Sequence, residues 1–252
     1  MEEWSSRSFR ILGEKGIEKL AAANMAVFGI GGVGSFSAEA LVRSGLGHIT
    51  IIDKDVVDVS NINRQIEALH STVGRSKCEV LRERLLDISP EAKVEIREMF
   101  YLPENADAFD LTPYDCVIDA MDTVTAKICL AQHCDRLDIT LISAMGAGNK
   151  LDPSKLQVAD IYHTGIDPLA RVMRRELKKR GIGKLKCVYS TEEPVKPADR
   201  STSADMKDSG ETDGDTEGIR RKDTPGSMIF VPASMGLMIA SEAVRSILED
   251  ES

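Results

Sequence analysis

The chain has 252 residues, of which 42% are hydrophobic and 29% are charged, and its formal net charge is -9. We expect such a chain to be globular, and its negative charge argues against bulk attraction to polyanions. No basic start precedes an apolar run, and no stretch approaches the roughly 20 apolar residues of a membrane span. We therefore expect a cytoplasmic protein without a membrane span.

The cysteines fit neither a disulfide framework nor a zinc site. Their number is odd and no two of them form a C-x-x-C pair. Disulfide-rich domains usually carry an even number of cysteines, and four-cysteine zinc sites usually carry closely spaced pairs. The five residues are Cys78, Cys116, Cys129, Cys134 and Cys187. We expect reduced thiols and no structural zinc.

Short apolar runs alternate with helical patterns over the first 145 residues. The patterns predict strands at 26–28, 49–52, 94–96, 116–118 and 139–143, and helices at 35–43, 76–88 and 123–137. Strands that alternate with helices are typical of parallel sheets. We predict an α/β protein with a doubly wound, Rossmann-like, mostly parallel sheet and a C-terminal extension.

The last quarter of the chain changes in composition. Residues 191–224 contain ten acidic and six basic residues and no aromatic residue. Such a segment buries little apolar surface to offset its ordering entropy, so we predict a mobile loop at 191–226. Beyond it we predict a strand at 228–231 and a helix at 234–248, which complete the same domain over residues 227–252.

A glycine-rich stretch follows the first predicted strand. Gly29, Gly31 and Gly34 fit the pattern G-x-G-x-x-G between a strand and a helix, and Gly32 lies within it. Backbone N–H groups at such a helix start bind phosphate groups. Asp53, at the end of the next strand, suits a ribose hydroxyl. These features predict a nucleotide site without specifying which nucleotide.

Polar and charged residues after the second strand favour a triphosphate over a dinucleotide. Arg64 and Lys77 are two cations beyond the glycine loop, accompanied by the carboxamides of Asn61, Asn63 and Gln65. A dinucleotide has one pyrophosphate, which the helix start already serves, whereas a triphosphate needs further cationic contacts. Asp119 and Asp122 end a later strand, and one of them is a candidate ligand for Mg²⁺.

The stretches "GIGGVGS", "DKD", "NINRQ", "GRSK" and "DAMD" together resemble the adenylylating enzymes of the E1, ThiF and MoeB superfamily. The resemblance implies that residues 1–150 bind ATP with Mg²⁺ and attach AMP to a carboxylate. It implies catalytic roles for Arg64, Lys77 and Asp122, with Asp122 at the metal. Asn61 and Gln65 would support the phosphates, and Asp55 joins Asp53 and the glycines in the nucleotide-binding set. Arg10 matches an arginine that often reaches the nucleotide across the interface of a homodimer.

The second half of the chain, including "SAMGAGNKLDPSKLQVADIYHTGIDPLARVMRRELKKRGI", is similar to the bacterial tRNA threonylcarbamoyladenosine dehydratases. That resemblance implies ATP-dependent cyclisation of N6-threonylcarbamoyladenosine at position 37 of tRNA through an acyl adenylate. Two alternatives stay open. One is activation of the C-terminus of a ubiquitin-like sulfur carrier, and the other is a non-catalytic nucleotide-binding scaffold that serves a cysteine desulfurase system.

A tRNA substrate needs a basic surface, and residues 171–186 hold eight bases and one acid. We expect residues 151–190 to contact the substrate, with a basic helix at the tRNA phosphates. The candidate residues are Arg174, Arg175, Lys178, Lys179 and Arg180.

Cys187 and His163 are weaker candidates. Related activating enzymes use a cysteine in a flexible segment, but cyclisation needs no thiol, so a structural cysteine is favoured at 187. His163 is a possible acid or base near the substrate, although a structural histidine is favoured there as well.

Overall fold

A computed structural model describes residues 3–196 and 225–249 of the chain. The helices are α1 Ser6–Ala22, α2 Gly34–Arg43, α3 Lys77–Ile88, α4 Val124–Leu137, α5 Pro168–Lys179 and α6 Phe230–Glu249. The strands are β1 Asn24–Phe28, β2 His48–Ile52, β3 Lys93–Arg97, β4 Cys116–Asp119, β5 Thr140–Ala144, β6 Leu156–Asp160 and β7 Lys186–Ser190. Each predicted helix and strand up to residue 144 is confirmed to within two residues at either end.

The seven strands form one sheet in the order β3-β2-β1-β4-β5-β7-β6. All neighbouring pairs are parallel except β6 and β7, which are antiparallel. The predicted doubly wound α/β fold is confirmed. The two strands β6 and β7 lie outside the strands predicted from the sequence.

The central strands are buried on both faces, as a parallel sheet covered by helices requires. On one face, Val27 and Ile118 belong to the apolar cluster that includes α2 and the buried side of α6. On the other face, Phe28 and Val117 pack with the buried residues of α4 and α5. Both faces of the sheet are thus covered, and the carboxyl ends of β1, β2 and β4 remain open.

The strand predicted at 228–231 is wrong. Phe230 and Val231 form the first turn of α6, and the Ala233 N–H already donates to the Ile229 carbonyl. A four-residue apolar run does not by itself distinguish a strand from the start of a buried helix. Pro232 is tolerated in the first turn because its missing N–H would have no partner within the helix there.

Among the described residues, α6 is the one helix long and apolar enough to cross a membrane by length and composition. It packs instead on α2 and on one face of the sheet. Met235, Ile239 and Ala243 are fully buried in the core, and the Ser37 hydroxyl donates to the Gly236 carbonyl at 3.0 Å. A core helix accounts for its composition. Most of the predicted mobile loop at 191–226 lies outside the described residues, which end at 196 and resume at 225.

Candidate functional site

A cavity of about 380 Å³ opens at the carboxyl ends of β1, β2 and β4. In open parallel sheets this edge, near the point where the strand order reverses, is where ligands bind. The cavity is lined by ten of the residues singled out above: Gly29, Gly31, Gly32, Asp53, Asp55, Asn61, Arg64, Gln65, Lys77 and Asp122. The tertiary structure thus brings together side chains that are up to 93 positions apart in the chain.

The glycine loop is shaped by two close backbone approaches. Gly29 has a φ of 79°, and a Cβ there would lie 2.9 Å from the Ala120 carbonyl oxygen. At Gly34, a Cβ would lie 1.8 Å from the Gly29 carbonyl oxygen. Gly34 is not among the cavity-lining residues, and its lack of a side chain lets the start of α2 pack on the loop. Gly31 and Gly32 line the cavity at that helix start, where backbone N–H groups lack intrahelical partners.

Asp53 is held rigidly at the end of β2. One carboxylate oxygen accepts from the Ile30 N–H at 2.9 Å, and the other accepts from the Asp55 N–H at 2.8 Å. These bonds tie the acid to the glycine loop and to the turn that follows it. The remaining lone pairs of a carboxylate can accept hydroxyl donors from a ligand in the cavity.

Arg64 lies close to Gly32 of the glycine loop. Its Nη1 donates to the Ser60 carbonyl at 2.7 Å and to Asn63 Oδ1 at 2.9 Å. Both partners are neutral, so neither contact offsets the guanidinium charge. Asn61 is buried, and its Oδ1 accepts from the Asp58 N–H at 3.2 Å. Asn61 therefore shapes the turn that carries Arg64.

Lys77 is the first residue of α3 and is nearly buried, with 6% of its side chain exposed. Its Nζ donates to Asp55 Oδ2 at 2.9 Å. The side chain of Asp55 is 53% exposed and can move toward solvent. Lys77 is thus a desolvated cation whose counter-ion is loosely held, an arrangement that favours exchange for a ligand anion.

Asp119 and Asp122 have different environments. Asp119 is fully buried and pairs with Lys127 Nζ at 2.8 Å. It also accepts from the Ser143 hydroxyl at 2.6 Å and from the Met121 N–H at 3.2 Å. Asp119 is therefore a structural residue and is excluded as the metal candidate. Asp122 is exposed and lines the cavity.

Sequence reasoning missed two groups of cavity residues. Residues 99–102, which read MFYL, follow β3 and line the cavity, with Tyr101 buried against Phe28. The position of this apolar run at the end of a parallel strand is a signal that could have identified it. Ser227 and Pro232 line another side, and nothing local in the sequence marks them.

Several predicted residues lie outside this cavity. Arg10 is exposed on α1, and His163 is exposed after β6. Cys187 is fully buried in β7, and burial raises the pKa of its thiol to about 12. Burial outweighs the opposing effect of the cations Lys127 and Arg174, so Cys187 is not a reactive thiolate.

The basic helix is α5 with the turn after it, and its cations are not equally available. Arg174 Nη1 donates to the Thr164 carbonyl at 2.9 Å and to the Thr164 hydroxyl. The Glu176 carboxylate pairs with three other cations, whose hydrogen bonds, that of Lys179 foremost, lower its pKa to about 2. These cations are Arg175 at 3.0 Å, Lys179 at 3.0 Å and Arg180 at 2.9 Å. Lys178 is exposed.

No group of three or more His, Cys, Asp or Glu side chains among residues 3–196 and 225–249 has the arrangement of a metal site. A cation in the cavity would therefore need oxygen ligands from elsewhere as well as Asp122.

A family model described as the ThiF family matches residues 5–252, nearly the whole chain. This chain belongs to the ThiF family. Two dehydratases show where it falls within the family. The tRNA threonylcarbamoyladenosine dehydratase of Bacillus subtilis is 44% identical over 247 residues, covering 97% of this chain and 94% of that protein. The Escherichia coli enzyme of that name is 40% identical over 261 residues, covering 98% and 95%.

The solved structure of the E. coli dehydratase in complex with ATP matches this ThiF-family chain with a TM-score of 0.84 and 36% identity. The match covers 99% of this chain and 97% of that one. The complex of the same enzyme with AMP gives the same TM-score and identity.

Glu67 is a buried acid that lies outside the residues lining the cavity. It is 1% exposed, and neither carboxylate oxygen has a hydrogen-bond partner in the described part of the chain. Burial raises its pKa to about 7, against smaller opposing effects of Lys77 and Ser35. The Ser35 hydroxyl donates to the Gly31 carbonyl at 2.7 Å. Glu67 thus lies close to a serine that is itself bonded to the glycine loop.

We expect Glu67→Gln to remove a decrease in the free energy of unfolding that the wild-type protein shows as pH rises. Unfolded Glu67 loses its proton near its ordinary pKa of 4.5 and the folded residue near 7, so its contribution is full below 4.5 and lost as pH rises through 7. Relative to wild type, the variant should gain about 3 kcal/mol in free energy of unfolding between pH 4.5 and 8. Urea unfolding across that range measures this. Glu95→Gln, an exposed control, should show no such trend, and a pH-independent difference for Glu67→Gln would contradict the assignment.

Proposed function

We propose that this chain is an ATP-dependent tRNA threonylcarbamoyladenosine dehydratase. The observation that carries the proposal is the single cavity that unites the glycine loop, Asp53, Arg64, Lys77 and Asp122 in a ThiF-family chain. The dehydratases named above, one of them solved with ATP, support the substrate class.

The residues of the cavity fit ATP. Gly31 and Gly32 leave backbone room at the start of α2, and Asp53 is fixed to accept the ribose hydroxyls. The Oε1 of Gln65 is buried without a hydrogen-bond partner although the residue lines the cavity. An unpartnered buried acceptor is costly, so a donor from the ligand or its hydration shell fits there. Residues 99–102 offer an apolar surface for the base.

The chemistry follows from the substrate itself. The carboxylate attacks the α-phosphate of ATP, a P–O bond forms, and pyrophosphate leaves. A nitrogen of the same nucleoside then attacks the activated carbonyl carbon and gives up its proton to solvent, and AMP departs with one carboxylate oxygen. Because both partners of the ring closure belong to one substrate, the enzyme contributes proximity and charge stabilisation and needs no nucleophile. Arg64 and Lys77 would stabilise the charge on the phosphates during the first step.

We propose Mg²⁺ as the accompanying ion, with Asp122 as its protein ligand. The exposed carboxylate at the cavity wall suits a hard cation that keeps several waters and also binds phosphate oxygens. Bound there, the ion would neutralise phosphate charge. Structural zinc is not part of this proposal.

The decisive experiment incubates the protein with ATP, Mg²⁺ and tRNA that carries threonylcarbamoyladenosine, and then weighs the nucleoside by mass spectrometry. Loss of one water, dependent on ATP, is the expected result. An unchanged mass, with pyrophosphate released only when a sulfur-carrier protein is added, would favour that alternative. ATP binding without pyrophosphate release under either condition would favour the other alternative, a non-catalytic scaffold that serves a cysteine desulfurase system.

We further propose that α5 and the turn after it bind tRNA phosphates. The five candidates, together with Arg171, lie in one helix and its C-terminal turn, in a chain whose overall charge is negative. Among them, Lys178 is the better candidate for a phosphate contact because it is exposed, whereas Arg174 already donates to Thr164. Phosphate contacts from such residues depend on salt concentration.

Charge reversal should test this surface. We expect Lys178→Glu to weaken tRNA binding and to reduce the slope of log affinity against log salt by about 1, one lost phosphate contact. Filter binding over a salt series measures both quantities. The matched control is Lys93→Glu, an exposed lysine in β3 at the opposite edge of the sheet. Equal slopes for the two variants would argue against α5 as the tRNA surface.

We also propose a homodimer in the cytoplasm. Arg10 is exposed outside the cavity, and its neighbour Ile11 is 85% exposed. The family resemblance assigns such an arginine to the nucleotide of the second subunit, and an interface over α1 would cover the exposed isoleucine.

A further inference from the structure

Asn63 connects Arg64 to a distant part of the chain. The Asn63 Oδ1 accepts from Arg64 Nη1 at 2.9 Å, while its Nδ2 donates to the Ser227 carbonyl at 2.8 Å. Ser227 is 164 positions away and lines the cavity. The Asn63 side chain thus accepts a hydrogen bond from the cavity cation Arg64 and donates one to Ser227, a second cavity-lining residue.

Ser227 is itself held in place. It belongs to residues 225–227, here named the strap, which precede α6. The Gly226 N–H donates to Asn149 Oδ1 at 2.6 Å, and the Asn149 N–H donates to the Gly226 carbonyl at 2.7 Å. Pro225 packs so closely on Gly148 that a Cβ there would lie 2.9 Å from it. The strap is therefore pinned to the loop after β5.

Asn149 adopts a backbone conformation that few residues other than glycine favour, with a φ of 57°. Asparagine tolerates the left-handed region better than most residues, but the conformation persists only where its surroundings enforce it. Its carbonyl also accepts from the Val195 N–H at 2.7 Å. Asn149 does not line the cavity, and the side-chain hydrogen bonds of Arg64 go to Ser60 and Asn63 instead.

We propose that Asn63 is a positioning residue that braces the Arg64 guanidinium against the strap, so that the phosphate-binding cation is oriented before ATP arrives. This rests on the proposed function, in which Arg64 contacts the phosphates. Arginine has many rotamers, and freezing it during binding costs affinity, whereas a guanidinium already fixed avoids that cost. Asn149 acts one step further away, through the strap.

The test is a set of variants assayed for KM(ATP), pyrophosphate release and Tm. We expect Asn63→Ala to raise KM(ATP) about 5- to 10-fold, the effect of losing one to two hydrogen bonds. Asn149→Gly keeps the backbone conformation and removes only the Oδ1 acceptor, and should raise KM(ATP) in the same direction. Asn63→Ala in an Arg64→Ala background should add nothing, because Asn63 acts through Arg64.

The control is Asn24→Ala, at a partly exposed asparagine whose Nδ2 also donates to a backbone carbonyl, that of Pro113 at 2.9 Å, at the far end of β1. It should leave KM(ATP) unchanged. A merely structural role of Asn63 would lower Tm and the active fraction without moving KM(ATP), and that result would overturn the proposal, as would additive effects of Asn63 and Arg64. Failure of the wild-type protein to release pyrophosphate would instead overturn the proposed function.

Discussion

Lys77→Ala should reduce ATP-dependent loss of water from the tRNA nucleoside by about 100- to 1,000-fold, the usual effect of removing one preorganised charge at a reacting group. Lys77 Nζ is held at the cavity wall with 6% of its side chain exposed, at 2.9 Å from Asp55. A buried ammonium is poorly solvated, so its interaction with a phosphate oxygen is stronger than that of a surface lysine.

Single-turnover mass spectrometry of the nucleoside, together with pyrophosphate release, measures this effect. Lys77→Arg keeps the charge but not the shape that fits beside Asp55, so it should fall between the wild type and Lys77→Ala. Lys93→Ala, an exposed lysine in β3, serves as the control and should retain full activity. Activity of Lys77→Ala within twofold of wild type would remove Lys77 from the proposed mechanism.

Lys127→Met should lower the free energy of unfolding by about 3 to 5 kcal/mol, because it leaves the buried carboxylate of Asp119 without its cation. The two side chains are 0% and 1% exposed and 2.8 Å apart. Lys127 Nζ also donates to the Met121 carbonyl at 3.2 Å. The pair therefore fixes the turn that leads from β4 to Asp122.

Urea unfolding monitored by circular dichroism measures the loss. Adding Asp119→Asn to Lys127→Met removes the uncompensated charge and should recover part of the stability. The matched comparison is Arg97→Ala, which breaks an exposed pair with Glu95 at 3.2 Å and should cost less than about 1 kcal/mol. Equal losses for Lys127→Met and Arg97→Ala would contradict the assignment of a buried, desolvated pair.

The buried ion pair and the hydrogen bonds to the strap affect the site in different ways. The Asp119–Lys127 pair is part of the folded core and supports the cavity wall from beneath. The contacts of Asn63 and Asn149 are exposed and hold the strap from outside. We therefore expect changes at the pair to appear mainly as lost stability, and changes at Asn63 or Asn149 mainly as altered use of ATP.

Local patterns in the sequence were sufficient for the alternating strands and helices from β1 to β5, for the glycine loop and for the acid at the end of β2. Strand and helix periodicity and the restricted geometry of a tight turn are imposed by neighbouring residues, so they can be recognised without a partner. The strand predicted at 228–231 failed because a short apolar run lacks such a periodic signature.

Only the tertiary structure decided which of the two acids at and just after the end of β4 is available to a ligand, and whether the Cys187 thiol is reactive. Asp119 is neutralised by Lys127 and accepts a hydrogen bond from Ser143, 24 positions away, whereas Asp122 faces the cavity. Cys187 is enclosed by a sheet whose last two strands were not predicted. The tertiary structure also decided that residues 99–102 and Ser227 line the cavity. Burial and pairing depend on residues far apart in the chain, and their energies are set by the assembled environment instead of by sequence neighbours.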